Sequence, residues 1–148
     1  EEIEVLLETR SGHKGICGMN DLREILEQAA RGNERARLVV EMLCYRIRKY
    51  IGAYIAVLGR VDAVVFTGGI GENASAIRER ACGGLEHLGI SIDEKKNASA
   101  GSSITEIQKD GAPVKVLVAR TDEEWEIARQ TVQAIETGGG RPDLSAER

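Results

Sequence analysis

The sequence predicts an α/β layer structure, and two observations carry that reading. Residues 61–66 (VDAVVF) and 114–119 (VKVLVA) are short apolar runs rich in β-branched residues and bounded by turn formers, the pattern of buried strands. Helical apolar periodicities precede, separate and follow them, and strands alternating with helices imply layers packed about one core.

In chain order, residues 1–8 (EEIEVLLE) read as a helix or the end of one. Residues 9–20 carry Gly12, Gly15 and Gly18 at short intervals and read as a loop. Asn20 is the expected N-cap of a helix with Leu22, Ile25, Leu26 and Ala29 on one face, closed by Gly32. Asn33 then caps a long helix over 33–58, whose expected stripe is Ala36, Val40, Leu43, Ile47, Tyr50, Tyr54 and Val57. After the first strand, Asn73 opens a helix to Leu88, weakened inside by Gly83-Gly84. Residues 90–93 read as a short strand, 94–113 as a polar stretch broken only by a possible edge strand at 104–107. Thr121 or Asp122 caps a last helix whose apolar face uses Trp125, Ile127, Ala128, Val132 and Ile135. The domain is expected to fill 1–136, and 137–148 to be a disordered tail.

Composition excludes several classes of function. A net charge of -4 gives no basic footprint for nucleic acid. No apolar run approaches the length that spans a bilayer, and no secretory leader pattern opens the sequence. Cys17, Cys44 and Cys82 are odd in number and lack CxxC spacing, against a disulfide framework or a zinc site, so a cytoplasmic setting is expected. His13 and His87 have no partner at catalytic or metal-ligating spacing and read as surface residues. The start at Glu1, without Met and inside a helical pattern, suggests a piece of a longer protein.

The chemistry concentrates at residues 61–73, VDAVVFTGGIGEN. A strand enters Gly68, Gly69 and Gly71, where backbone can turn sharply and approach a ligand with no Cβ in the way. A helix start follows, where free N–H groups and the dipole favour negative charge. The bland alternative is a plain tight turn between a strand and a helix. The Walker P-loop pattern has no match here, whereas Gly69-x-Gly71-x-x-Ala74 fits the dinucleotide fingerprint, with Asp93 placed to meet a ribose. Against a dinucleotide fold, a long helical stretch precedes the first strand and few strand-helix units follow.

FTGGIGEN at 66–73, with SGHKGICGMNDLRE at 11–24 before it and VLVARTDEEWEIAR at 116–129 after it, resembles the acetate kinase family in motif, order and spacing. The resemblance runs from about residue 8 to residue 136 and implies a ribonuclease-H-like domain of the actin, sugar-kinase and Hsp70 superfamily, incomplete here, with a long covering helix. It further implies the last third or so of such an enzyme, the bulk of its C-terminal nucleotide-binding domain. Carried over, the family's contacts fall on Asp21, Leu22 and Arg23 beside the ribose and adenine, and on Gly69, Ile70, Gly71, Glu72 and Asn73, whose backbone closes over the nucleoside. Glu123 matches a glutamate that helps hold Mg²⁺, in T-D-E-E rather than the usual T-N-E-E; alone it would read as an acid favouring a helix dipole. His13-Lys14, Arg120 and Trp125 also depart from the family, which usually has Leu-Leu, a proline and an aliphatic residue there. The cofactors implied are ATP or ADP with Mg²⁺. The implied activity is reversible ATP-dependent phosphorylation of acetate, with nucleotide and a small carboxylate as partners and a homodimer formed through this domain. The family's catalytic residues lie upstream of this stretch, so no catalytic residue is assigned and the chain alone is expected to be inactive. Two other classes remain beside this one: a dinucleotide-binding oxidoreductase domain and a non-catalytic dimerisation module.

Overall fold

A long helix and a small mixed sheet share the apolar interior. The computed structural model describes residues 2–101 and 104–137. In chain order these form α1 (Glu2–Arg10), α2 (Gly12–Cys17), α3 (Leu22–Ala30), α4 (Glu34–Leu58), β1 (Ala63–Phe66), α5 (Gly68–Asn73) and α6 (Ser75–Cys82). A 3₁₀ turn (Glu86–Leu88), α7 (Glu94–Ala98), β2 (Thr105–Glu106), β3 (Lys115–Val118) and α8 (Glu123–Glu136) complete them.

The sheet has the order β1-β3-β2. β1 runs parallel to β3 in the register Ala63 to Lys115 through Phe66 to Val118, and β2 is antiparallel to β3. Ile90, Ile107, Val114, Val116 and Val118 bury almost completely against Cys82 and Leu85 to form one core cluster. The first half of α4 builds the other, with Ala36, Val39, Val40 and Cys44 packed against Ile25 of α3 and Ile77 of α6. The helix therefore bridges both clusters, because Ile51 and Ile55 in its second half pack on the sheet cluster.

Asn33 caps α4 as expected, its side chain accepting from the Ala36 amide at 3.1 Å. The expected stripe holds only in the first half of the helix. Tyr50, Tyr54 and Val57 are exposed, and the inward positions there are Ile51 and Ile55. A step-of-four-and-three pattern is satisfied by two adjacent faces when apolar residues are this dense, and only the packing partner selects between them.

Other boundaries shift for local reasons. Residues 12–17 are a short helix rather than loop, and α3 is capped by Asp21, not Asn20. α6 stops at Gly83 instead of running to Leu88, since consecutive glycines lack the propensity to carry a helix. Residues 90–93 form only an isolated bridge, Ile92 to Gln108, because the chain at Asp93 turns into α7. α7 lies inside the stretch expected to be polar loop; Asp93 accepts from the Lys96 amide at 2.9 Å to start it. None of the described residues of α8 is buried, so its expected apolar face has no cover among the described residues. From residue 138 on, the expected tail lies outside the described residues.

Candidate functional site

The parallel pairing of β1 and β3 delivers two motifs to one end of the sheet. Phe66 and Val118 are register partners, and the Ala119 amide donates to the Phe66 carbonyl at 2.9 Å, so the segments following each strand emerge side by side. Ligands of open α/β sheets bind outside these carboxyl ends. Here the two segments are G-G-I-G-E-N after β1 and R-T-D-E-E after β3.

The glycine motif is itself a helix, α5, not a turn leading to a helix that starts at Asn73. Asn73 ends α5, and its side-chain amide donates back to the Gly69 carbonyl at 2.9 Å. Gly68 opens α5 with φ +70, a left-handed conformation that a side chain would strain. Gly71 lies so close to β1 that a Cβ there would sit 3.0 Å from the Phe66 carbonyl carbon. Gly69 is different: nothing lies within 4 Å of where its Cβ would be, and Gly69 and Ile70 are exposed. At Gly69 the outer surface of α5 is thus bare backbone facing open space.

Glu72 ties the two motifs together. Its Oε1 accepts from the Gly68 amide at 3.0 Å, the Thr121 amide at 2.9 Å and the Thr121 hydroxyl at 3.1 Å. The Thr121 amide, with further help from its hydroxyl, from Gly68 and from the nearby Arg120 charge, holds the Glu72 carboxyl below the usual glutamate range. The first N–H of α5 is therefore occupied from within.

Gly68, Gly69 and Glu72 line a cleft of ≈ 820 Å³ with Arg120, Thr121, Asp122, Glu123 and Glu124. Asp122 caps α8, accepting from the Trp125 amide at 3.0 Å. Glu123 and Glu124 are exposed in the first turn of α8. Among the described residues, no group of three or more His, Cys, Asp or Glu side chains is arranged to hold a metal ion. This donor set fits a hard cation that keeps most of its water and takes a single carboxylate, as Mg²⁺ does. Glu123 and Glu124 are the two exposed acids that the first turn of α8 brings to the cleft.

The D-L-R segment stands apart from the cleft lining. Asp21 caps α3 through the Arg23 amide at 2.8 Å and pairs with the Arg23 guanidinium at 2.6 Å. That guanidinium, with the amide, lowers the Asp21 carboxyl to about 2. Leu22 is half-buried, packed against the cluster of Ile25, Val39, Val40 and Ile77 that also takes in Ala74, the residue just after α5. The dinucleotide reading loses both of its features. Its glycines are helical, and Asp93 ends no strand but caps α7.

Two residues that sequence patterns did not single out stand beneath α5. Arg78 and Asn97 are each 2% exposed and hydrogen-bonded to one another. An arginine at a helix position beside Ile77 carries no signal of burial, because charged side chains are rarely interior. Cys44 and Cys82 are buried and packed, and burial pushes the Cys82 thiol up to about 12, in keeping with packing roles.

Comparison with known proteins places this geometry. The Acetokinase family model matches residues 1–129. Acetate kinase of Syntrophobacter fumaroxidans is 56% identical over 139 residues, 94% of this chain and 34% of that protein. Acetate kinase of Nitratidesulfovibrio vulgaris (strain DP4) is 52% identical over 134 residues, 90% of this chain and 33% of that protein. The chain thus spans about a third of the length of the curated relatives it matches, in their C-terminal portion. Among solved structures, Porphyromonas gingivalis acetate kinase superposes with a TM-score of 0.80 at 44% identity, covering 90% of this chain and 34% of that one. A propionate kinase from Francisella tularensis gives 0.78 at 40%, covering 87% and 33%. The fold class is the expected actin, sugar-kinase and Hsp70-like one, in incomplete form.

Proposed function

This chain belongs to the acetokinase family, and we propose that it supplies the nucleotide-binding part of a carboxylate kinase. The whole enzyme moves a phosphoryl group reversibly between ATP and acetate or a similarly short carboxylate. The carrying observation is the union of G-G-I-G-E-N and T-D-E-E at the carboxyl ends of the parallel strands, fastened by Glu72 and Thr121.

The roles follow from chemistry. The backbone of Gly69, Ile70 and Gly71 offers a surface without side-chain bulk at Gly69, suited to the flat face of a nucleoside. Glu72 and Asn73 spend their side chains on hydrogen bonds within α5 and to Thr121, so they serve that surface through backbone and by fixing it. Asp21, Leu22 and Arg23 meet the ribose and adenine. Among the described residues the cleft carries Glu72, Asp122, Glu123 and Glu124 against Arg120, a charge balance that repels a bare polyphosphate. Nucleotide therefore enters as its Mg²⁺ complex, with Glu123 holding the cation through oxygen or water, and Mg²⁺ supplies charge neutralisation at the transferred phosphoryl. The acidic groups and cations that act on the phosphoryl group belong to the rest of the enzyme.

The setting we assign is the cytosol, and the partner a second copy of the same protein. An apolar groove of ≈ 520 Å³ lies between α4 and β1, lined by Tyr50, Tyr54, Leu58, Val61 and Val64 among others. Tyr50, Tyr54 and Leu58 are exposed there. Sedimentation as a monomer at every concentration would remove the dimer from this reading.

Calorimetric titration with ADP and Mg²⁺, set against NADH, tests the nucleotide assignment. Saturable heat with ADP and none with NADH is expected. Preference for NADH would overturn it.

A further inference from the structure

α5 has little reason to be a helix on its own. It is six residues long with Gly68, Gly69 and Gly71 among them, and each glycine costs about 1 kcal/mol relative to alanine in a helix interior. Helices this short do not persist in water without tertiary support. Gly69, which leaves the outer surface bare, is among the residues that deprive it of intrinsic stability. Rigidity must come from beneath.

Arg78 stands there. From α6 its Nη1 donates to the Gly71 and Glu72 carbonyls at 2.8 and 2.9 Å. These belong to the last turn of α5, where carbonyls have no partner within the helix and the dipole favours a cation. Its Nε donates to Asn97 Oδ1 at 2.7 Å and its Nη2 to the Asn97 carbonyl at 2.8 Å. Asn97 in turn donates from Nδ2 to the Ser75 carbonyl at 3.0 Å, closing the network between α5, α6 and α7. Among the described residues no carboxylate is a hydrogen-bond partner of the guanidinium, and the side chain is 2% exposed. A buried cation met only by amide dipoles is costly to keep. An aliphatic side chain would fill the space more cheaply but would leave the end of α5 unheld.

We propose that Arg78, oriented by Asn97, is a positioning residue for nucleotide binding: it clamps the carboxyl end of α5 so that the backbone at Gly69–Gly71, bare at Gly69, is held ready for the nucleoside. This deepens the nucleotide reading above and rests on it. The planar fork of arginine is what the task requires, since it reaches two α5 carbonyls and both oxygens of Asn97 at once. Lysine keeps the charge but cannot span them.

The test compares the 148-residue chain with Arg78→Lys and Asn97→Ala. ADP affinity with Mg²⁺ is read by calorimetry, and backbone amide exchange is read residue by residue. Arg78→Lys should weaken ADP by about tenfold or more and speed exchange in α5 while α4 and β3 keep their protection. Asn97→Ala should move both readouts the same way by less, and it decides the matter if Arg78→Lys fails to fold. ADP affinity within about twofold of the parent chain overturns the proposal. So does faster exchange spread evenly over α4, β3 and α5, which would mark a general structural role. Failure of the unsubstituted chain to bind ADP overturns the nucleotide reading itself, an outcome distinct from equal affinity in parent and variant.

Discussion

Gly69 and Gly71 stand two positions apart in one motif, yet their surroundings assign them opposite tasks. Gly69 has open space where a side chain would go, whereas Gly71 is pressed on the backbone of Phe66. Gly69→Val should therefore leave the thermal midpoint nearly unchanged while ADP binding disappears from calorimetry; undiminished affinity would sink the nucleoside surface. Gly71→Val should cost about 1–3 kcal/mol of stability through overpacking, read by denaturant titration. Glu72 adds a pH signature. Its folded carboxyl lies below the ordinary glutamate value of 4.5. The clip to Thr121 is consequently complete above that value, and its contribution is lost as pH falls through the lower folded value. The Thr121 amide resonance should titrate in that acidic window and not between pH 5 and 8; titration near neutrality would contradict the hydrogen bonds that hold Glu72.

At the scale of elements, the helices divide by what covers them. Ile25 of α3 is fully buried between α4 and its neighbours, whereas Ile135 of α8 is 73% exposed. Ile25→Ala should destabilise the chain by about 2–5 kcal/mol. Ile135→Ala should stay within about 0.5 kcal/mol. Equal costs in thermal unfolding would mean that α8 packs in a way this fold does not show. Capping was well signalled at Asn33, because the side chain and the amide it serves are three residues apart and need no tertiary partner. The path of α4's inner face past Ile47 was not, since Ile51 and Ile55 compete with Tyr50 and Tyr54 and only the sheet cluster chooses between them.

For the molecule as a whole, the open surfaces and the span of about a third of its relatives' length tell one story. β1 has a neighbour on one side only in the described sheet, and the groove beside it is apolar. Unpaired strand edges next to apolar surface associate. Sedimentation should show concentration-dependent association of this chain. Supplied with acetate, ATP and Mg²⁺ it should form no acetyl phosphate, because among the described residues Arg120 is the one cation lining the cleft, too few to neutralise a transferring phosphoryl group. Detection of acetyl phosphate from the pure chain would refute that division of labour.

The sequence by itself determined the strands at 61–66 and 114–119, the long capped helix and the motifs that carry the family resemblance, because these are written in local pattern and spacing. It also held the candidate residues at 69–73 and Glu123. Only the tertiary structure decided that the glycines form a helix, that Glu72 spends its carboxylate on Thr121, and that Arg78 lies beneath. Each depends on parallel pairing of strands far apart in the chain or on burial of a charge. Neither leaves a mark in local periodicity.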